Sequence, residues 1–131
     1  MIGLDTNVVV RYIMQDDPKQ SPKAARLIEA LTPDEPGFIS LVSIVELVWV
    51  LGFSYKLARE QIAQVLSGLL RSKEIVVDRA ELVGRAVRVF GSTSAVFADC
   101  LIERTAASAG CSRTMTFDVG AAKTAGMTLI Q

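Results

Sequence analysis

The sequence predicts an α/β fold, a parallel sheet wrapped by helices, and three observations predict it. Short apolar runs alternate with longer stretches of helical period, the pattern left by strands joined through crossover helices. Gly, Pro, Asp, Asn and Ser cluster between those stretches, where the chain must turn. Over 131 residues, 50% are apolar and 21% charged, which suits one well-filled globular core and leaves no room for a second. Residues 1–131 therefore read as one domain, with no internal repeat or low-complexity segment, able to fold alone or as a homo-oligomer.

The elements follow in order. Residues 1–4 read as the first strand, closed by Asp5-Thr6-Asn7, and residues 8–14 as a helix capped by Thr6 or Asn7. Asp16-Asp17-Pro18 marks a loop. Ser21-Pro22 opens a second helix, a cap followed by proline in the first turn, with Ala24, Leu27, Ile28 and Leu31 as its buried stripe. Residues 33–36 form a turn and 37–40 a short strand. Ser43 then caps a very apolar helix that runs to about Leu51 and ends at Gly52. Ala58, Ile62, Val65, Leu66 and Leu69 recur at helical spacing, and Ile75-Val76-Val77 reads as a buried strand with Asp78 capping the next helix. That helix carries Leu82, Val83, Ala86, Val87 and Phe90. A further helix covers residues 97–109 and stops at Gly110, residues 113–116 form a fourth strand ending in Phe117-Asp118, residues 121–124 a helical turn and 127–130 a last strand.

Composition removes whole classes of chemistry. Fourteen Lys and Arg balance fourteen Asp and Glu, so attraction for a polyanion has to come from a local patch rather than net charge. There is no histidine, which excludes imidazole bases and His-ligated zinc. Cys100 and Cys111 form no CxxC pair and read as small buried thiols. The start, Met1-Ile2-Gly3-Leu4-Asp5, lacks the basic region of a signal peptide, and the longest apolar stretch, residues 38–53, falls short of a membrane span of about twenty residues and is interrupted by Glu46. The expected location is cytoplasmic, with no membrane association.

What remains is carboxylates. Asp5 follows the first strand and Asp118 the fourth, where open α/β sheets place their ligands; either alone reads more readily as a cap or turn residue, and the two together bring the functional reading level with it. Glu46 is the one charge in Ile44-Val45-Glu46-Leu47-Val48-Trp49-Val50-Leu51, a helix apolar on every face and so expected to be buried all round. A carboxylate there has to meet a cation, a cluster of donors or a water-lined cleft, a buried pair with Arg being the bland alternative. Asp99 opens a helix after Val96-Phe97-Ala98, where the helix dipole alone would explain it. Glu103, one turn on, reads as an ion-pair partner for a neighbouring Arg. Four acids brought together would repel unless a divalent cation neutralised them, and oxygen-only ligands select a hard ion such as Mg²⁺ or Mn²⁺.

Asp5-Thr6-Asn7, Ser43-Ile44-Val45-Glu46-Leu47, Phe97-Ala98-Asp99-Cys100-Leu101-Ile102 and Thr116-Phe117-Asp118 resemble, in order and spacing, the motifs of the PIN-domain family. The resemblance spans essentially the whole chain. It implies a parallel sheet of strand order 3-2-1-4-5, an acidic Mg²⁺/Mn²⁺ site of Asp5, Glu46, Asp99 and Asp118, and Thr6, Asn7 and Thr116 orienting that site. The opening Asp-Thr-Asn-Val-Val-Val-Arg-Tyr is similar to that of VapC-type toxins, which implies a homodimeric endoribonuclease silenced by a VapB-like antitoxin. Members of the family often carry a basic residue just after the final Thr-Phe-Asp, whereas Val119-Gly120 follows here and Lys123 is the nearest cation after it; Lys123 and Arg11 are the candidates for RNA backbone contacts, each more readily read as solvated surface charge.

Two other readings stand beside the toxin. A housekeeping RNA-processing nuclease would carry the same acids. A phospho-receiver-like signalling module also gathers acids and Mg²⁺ at strand ends, but usually with adjacent acids after the first strand, where Thr6-Asn7 stand here.

Overall fold

The computed structural model describes residues 1–131 and contains five strands and seven helices. Its chain divides into two compact units, residues 1–58 with 68–78, and residues 59–67 with 79–131.

The first unit is built on a three-stranded parallel sheet. Strands β1 (Ile2–Gly3), β2 (Gly37–Ile39) and β3 (Ile75–Val77) pair in that order, Ile2 opposite Gly37 and Ile39 opposite Val77. Helix α1 (Thr6–Met14) packs against α2 (Gln20–Glu29) and α3 (Leu41–Phe53). Leu4, Val9, Val10, Ile39, Ile44, Leu47 and Leu51 are buried and form the core of this unit. A Cβ at Gly37 would lie 2.7 Å from Leu4 Cδ1 and 2.9 Å from Leu31 Cδ1, so any larger residue there has to displace those two side chains.

Several helix boundaries and faces differ from the sequence expectation. Asp5 caps α1, its Oδ1 accepting from the Thr6 amide, so the helix starts two residues earlier than expected and neither Thr6 nor Asn7 is the cap. Ser40, not Ser43, caps α3 by accepting from the Ser43 amide, and the helix runs through Gly52 to Phe53. Asp78 caps no helix of its own; its Oδ2 accepts from the Leu41 amide at the start of α3. In α2 the packing face is Ser21 and Ala24, small residues that let α1 approach closely, and Leu27 is left 41% exposed.

The clearest correction concerns α3. It is not buried all round: Ile44, Leu47 and Leu51 face the core, while Val42, Trp49 and Phe53 are exposed, and Glu46 is exposed with them. Hydrophobicity without periodicity cannot say which face turns inward. Trp49 and Phe53, one turn apart, stack on each other at 4.8 Å, and the Lys56 ammonium sits over the Phe53 ring.

The second unit holds α5 (Ala80–Ser92), α6 (Phe97–Ser108), α7 (Val119–Thr124), the beginning of α4 (Arg59–Arg71), and a two-stranded parallel sheet of β4 (Met115–Thr116) and β5 (Thr128–Leu129). All five expected core positions of α5, Leu82, Val83, Ala86, Val87 and Phe90, are buried against α6. Phe90 meets Phe97 edge to face at 5.7 Å. Arg59 lays its guanidinium over the Phe90 ring at 3.9 Å and donates to the Phe90 and Thr93 carbonyls, satisfying acceptors that the end of α5 would otherwise leave open. Cys100 is buried as expected; Cys111 is exposed, because it lies past the end of α6 where Gly110 turns the chain at a φ of +97°.

Of the strand order 3-2-1-4-5, the runs 3-2-1 and 4-5 are present, each in its own sheet. No helix is long and apolar enough to cross a membrane.

Candidate metal and nucleic-acid site

In the first unit, Asp5 and Glu46 are linked through one residue. Asp5 sits at the end of β1 as the cap of α1, and Glu46 projects from the second turn of α3. Thr6 joins them: its amide donates to Asp5 Oδ1 at 2.7 Å and its hydroxyl to Glu46 Oε1 at 2.8 Å. Thr6 is itself buried, so the linker cannot drift. Each acid is held by one oxygen and keeps the other free of protein donors. Both border a cavity of about 420 Å³ whose remaining walls are Thr6, Asn7, Val10, Arg11, Val50, Ser54 and Tyr55. The donor that the exposed Glu46 meets is thus Thr6, and the cleft is open, not the buried ion pair with Arg.

Arg11 lines the same cavity, but its guanidinium is already engaged. Nε donates to Gln20 Oε1 at 2.8 Å, and Nη1 donates to the Tyr55 hydroxyl at 3.2 Å and reaches Asp16 Oδ1 at 3.5 Å. Tyr55, Asp16 and Gln20 carried no signal in the sequence beyond a loop and an isolated aromatic; only the tertiary fold brings them to α1. Asn7 borders the cavity with an exposed side chain.

In the second unit, Asp118 follows β4 and caps α7. Its Oδ1 accepts from the Gly120 amide at 2.7 Å and the Ala121 amide at 3.2 Å, leaving Oδ2 free. Gly120 makes room for this, since a Cβ there would stand 3.1 Å from that same Oδ1. Thr116 accepts from the Asp118 amide through its hydroxyl, fixing the turn. Asp99, in the first turn of α6, is half-buried and accepts no hydrogen bond from the protein. Partial desolvation, reinforced by the nearby Asp118 charge, pushes its carboxyl above the ordinary carboxylate range. Glu103 pairs with Arg104, as expected of an accessory acid. Lys123 lies exposed in the last turn of α7 and makes no ion pair.

No three acidic or cysteine side chains converge into a ready-made cage. The acids stand as two pairs, each offering hard oxygen donors of the kind Mg²⁺ and Mn²⁺ accept. Such ions are held by few carboxylates and keep several waters, so the donor chemistry fits. Asp5 and Asp118 also show that the cap and ligand readings do not compete: one oxygen does the capping and the other is left over.

The family model described as "PIN domain" matches residues 2–127. A "VapC ribonuclease" of Aquifex aeolicus (strain VF5) is 26% identical over 98 residues, covering 75% of this chain and 73% of the relative.

Proposed function

Since this chain belongs to the PIN-domain family, we propose that it is a metal-dependent endoribonuclease, the toxin of a VapBC-like toxin–antitoxin pair. The observation that carries the reading is the Asp5–Thr6–Glu46 arrangement, two carboxylates fixed through one buried threonine at the edge of an open cavity.

Asp5, Glu46, Asp99 and Asp118 supply the ligands for Mg²⁺ or Mn²⁺, which when bound would activate water and offset charge on the phosphodiester. Thr6 holds Asp5 and Glu46 in fixed orientation. Thr116 and Gly120 do the same for Asp118, and Asn7 stands beside the first pair. Asp99, the one acid with no donor of its own, is the one whose charge most needs a cation. Lys123, in the last turn of the helix that Asp118 caps, and Arg11, in the helix that Asp5 caps, provide positive charge for contacts to RNA. The exposed Val42, Trp49 and Phe53 face of α3 supports a protein partner, a second copy or a VapB-like antitoxin, and the protein acts in the cytoplasm.

The test is incubation of the purified protein with tRNA and rRNA, with and without EDTA, followed by sequencing of the fragment ends. Cleavage that requires added Mg²⁺ or Mn²⁺ and disappears in Asp5→Asn and Asp99→Asn, both still folded by circular dichroism, is the expected result. Cleavage by Asp99→Asn at the wild-type rate would remove that residue from the site.

A further inference from the structure

The cavity beside Asp5 and Glu46 has a second wall that plays no part in holding an ion. Arg11, Asp16 and Tyr55 close a ring: Arg11 Nη1 donates to the Tyr55 hydroxyl, the Tyr55 hydroxyl donates to Asp16 Oδ2 at 2.8 Å, and Asp16 Oδ1 faces Arg11 Nη1 again. Gln20 holds Nε from outside the ring. The guanidinium is thereby fixed through two of its three nitrogens, and Nη2 has no protein acceptor. Arg11 lines the cavity with one nitrogen free of protein acceptors and so able to donate to a guest.

Charge decides what kind of guest. Asp5, Glu46 and Asp16 bring three negative charges to this region against the one positive charge of Arg11. With Asp5 and Glu46 offset by the cation they are proposed to hold, and Asp16 offsetting Arg11, the Arg11 end of the cavity suits a neutral group with acceptor atoms. Val10 and Val50 give it apolar flanks, and Asn7 and Ser54 add hydrogen-bonding groups. Planar aromatic and guanidinium groups with hydrogen bonds to the base edge are how proteins take unstacked bases of single-stranded RNA, and Tyr55 and Arg11 line this cavity. The volume, about 420 Å³, lies within the usual range for small-ligand pockets, about 300–1,000 Å³.

We propose that this cavity receives one unpaired RNA base next to the scissile phosphate, that Arg11 Nη2 reads an acceptor on its edge, and that Tyr55 and Asp16 are positioning residues for Arg11. The proposal rests on the ribonuclease reading and adds to it a determinant of cleavage-site choice. The bond to Asp16 raises the Tyr55 hydroxyl above its ordinary range, so it remains a donor throughout the neutral range and the ring stays closed.

The experiment uses short oligoribonucleotides with a single cleavage site, each flanking nucleotide replaced in turn by the other bases and by an abasic unit. Binding is followed by fluorescence anisotropy in Ca²⁺ and cleavage by kcat and KM in Mg²⁺. For the wild type, an abasic unit at one flanking position raises KM about ten-fold, the equivalent of one lost edge contact, with a smaller change in kcat. In Arg11→Ala and in Tyr55→Phe that penalty shrinks to about two-fold or less and the preference among bases flattens. Melting temperatures identify any variant that has failed to fold, and Gln20→Ala, which leaves the ring closed, retains more of the base preference than Tyr55→Phe. A Tyr55→Phe protein that keeps the full wild-type base preference overturns the proposal, as does a wild type that cleaves with no flanking preference. A wild type that neither binds nor cleaves any RNA overturns the ribonuclease reading and this proposal together.

Discussion

Replacing Thr6 by valine isolates one hydrogen bond of the site. Valine keeps the shape and β-branching of threonine in a buried position, and the backbone amide that holds Asp5 is untouched; only the 2.8 Å bond from Oγ1 to Glu46 Oε1 is lost. Glu46 is exposed, so water takes up the vacated oxygen and the loss of folding stability falls at the low end of the range for a net hydrogen bond, about 0.5–1.5 kcal/mol. The functional effect is larger. A released glutamate regains side-chain freedom worth up to about 1.5–2 kcal/mol, and metal binding must remove it again. At about 1.4 kcal/mol per factor of ten, that weakens the metal roughly ten-fold or slightly more, the lower part of the 10–100-fold range for outer ligand-orienting groups.

The assay is RNA cleavage rate against Mg²⁺ concentration. Thr6→Val shifts the half-saturating Mg²⁺ upward by about ten-fold while the rate at saturating metal returns close to wild type, and Thr6→Ser, which restores the hydroxyl, restores the midpoint. An unchanged midpoint in Thr6→Val would show that Glu46 is not oriented by Thr6 for metal binding. A fall in the saturated rate with no midpoint shift would assign the hydroxyl some other task.

Four further outcomes follow from particular contacts. Asp99→Asn removes a desolvated charge that faces Asp118, so it raises the melting temperature of the metal-free protein, most at low salt, while reducing cleavage by about 100-fold or more; calorimetry in EDTA and single-turnover kinetics check the two halves. Arg59→Lys cannot bond two carbonyls and cover the Phe90 ring together, and costs about 1–2 kcal/mol by chemical denaturation. Gly37→Ala forces Leu4 and Leu31 off their positions and destabilises by about 1–3 kcal/mol, measured as a lower urea midpoint at unchanged slope. Asp17 accepts from the Gln20 and Lys19 amides, which lower its pKa below the ordinary 3.8; a depressed folded-state pKa gives stability that is present above that value and lost as pH falls through the folded one, so the gap between wild type and Asp17→Ala is constant near neutrality and closes in acid.

How much was legible depended on whether a residue's role was set locally. The inward face of α5 was readable because Leu82, Val83, Ala86, Val87 and Phe90 keep a helical period against polar neighbours, and a period names its own buried side. The same logic failed on α3, where nearly every residue is apolar and Val42, Trp49 and Phe53 point outward for reasons that lie in the rest of the fold. It failed on α2 because the approach of α1 selects small Ser21 and Ala24 over larger Leu27. The caps slipped by one to three residues, since Asp5, Thr6 and Asn7 are all good caps and so are Ser40 and Ser43; the helix starts wherever the preceding strand releases the chain. Tyr55 and Asp16 were invisible, because residues 39 apart in sequence meet only through tertiary packing.

Asp5 and Asp118 were legible for a reason that bears on how such a site is made. An aspartate at a strand end that begins a helix has one oxygen fixed by backbone amides whatever else it does, so its second oxygen is aimed without any further side chain being ordered. The stability of the helix start and the direction of the free oxygen then come from the same bonds, and the two readings of a capping acid are one arrangement. Asp99 is made differently. No amide fixes it, partial burial and the Asp118 charge work against its ionised form, and nothing within the protein relieves either. Substitution by asparagine therefore separates the two kinds of acid: either change removes the Asp99–Asp118 repulsion, but at Asp118 it also gives up the charge-assisted bonds of the cap, whereas at Asp99 it also removes the cost of partial burial, so stability rises more at Asp99. Equal stability changes at the two positions in metal-free protein would mean that their shared repulsion outweighs both the cap bonds of Asp118 and the burial of Asp99.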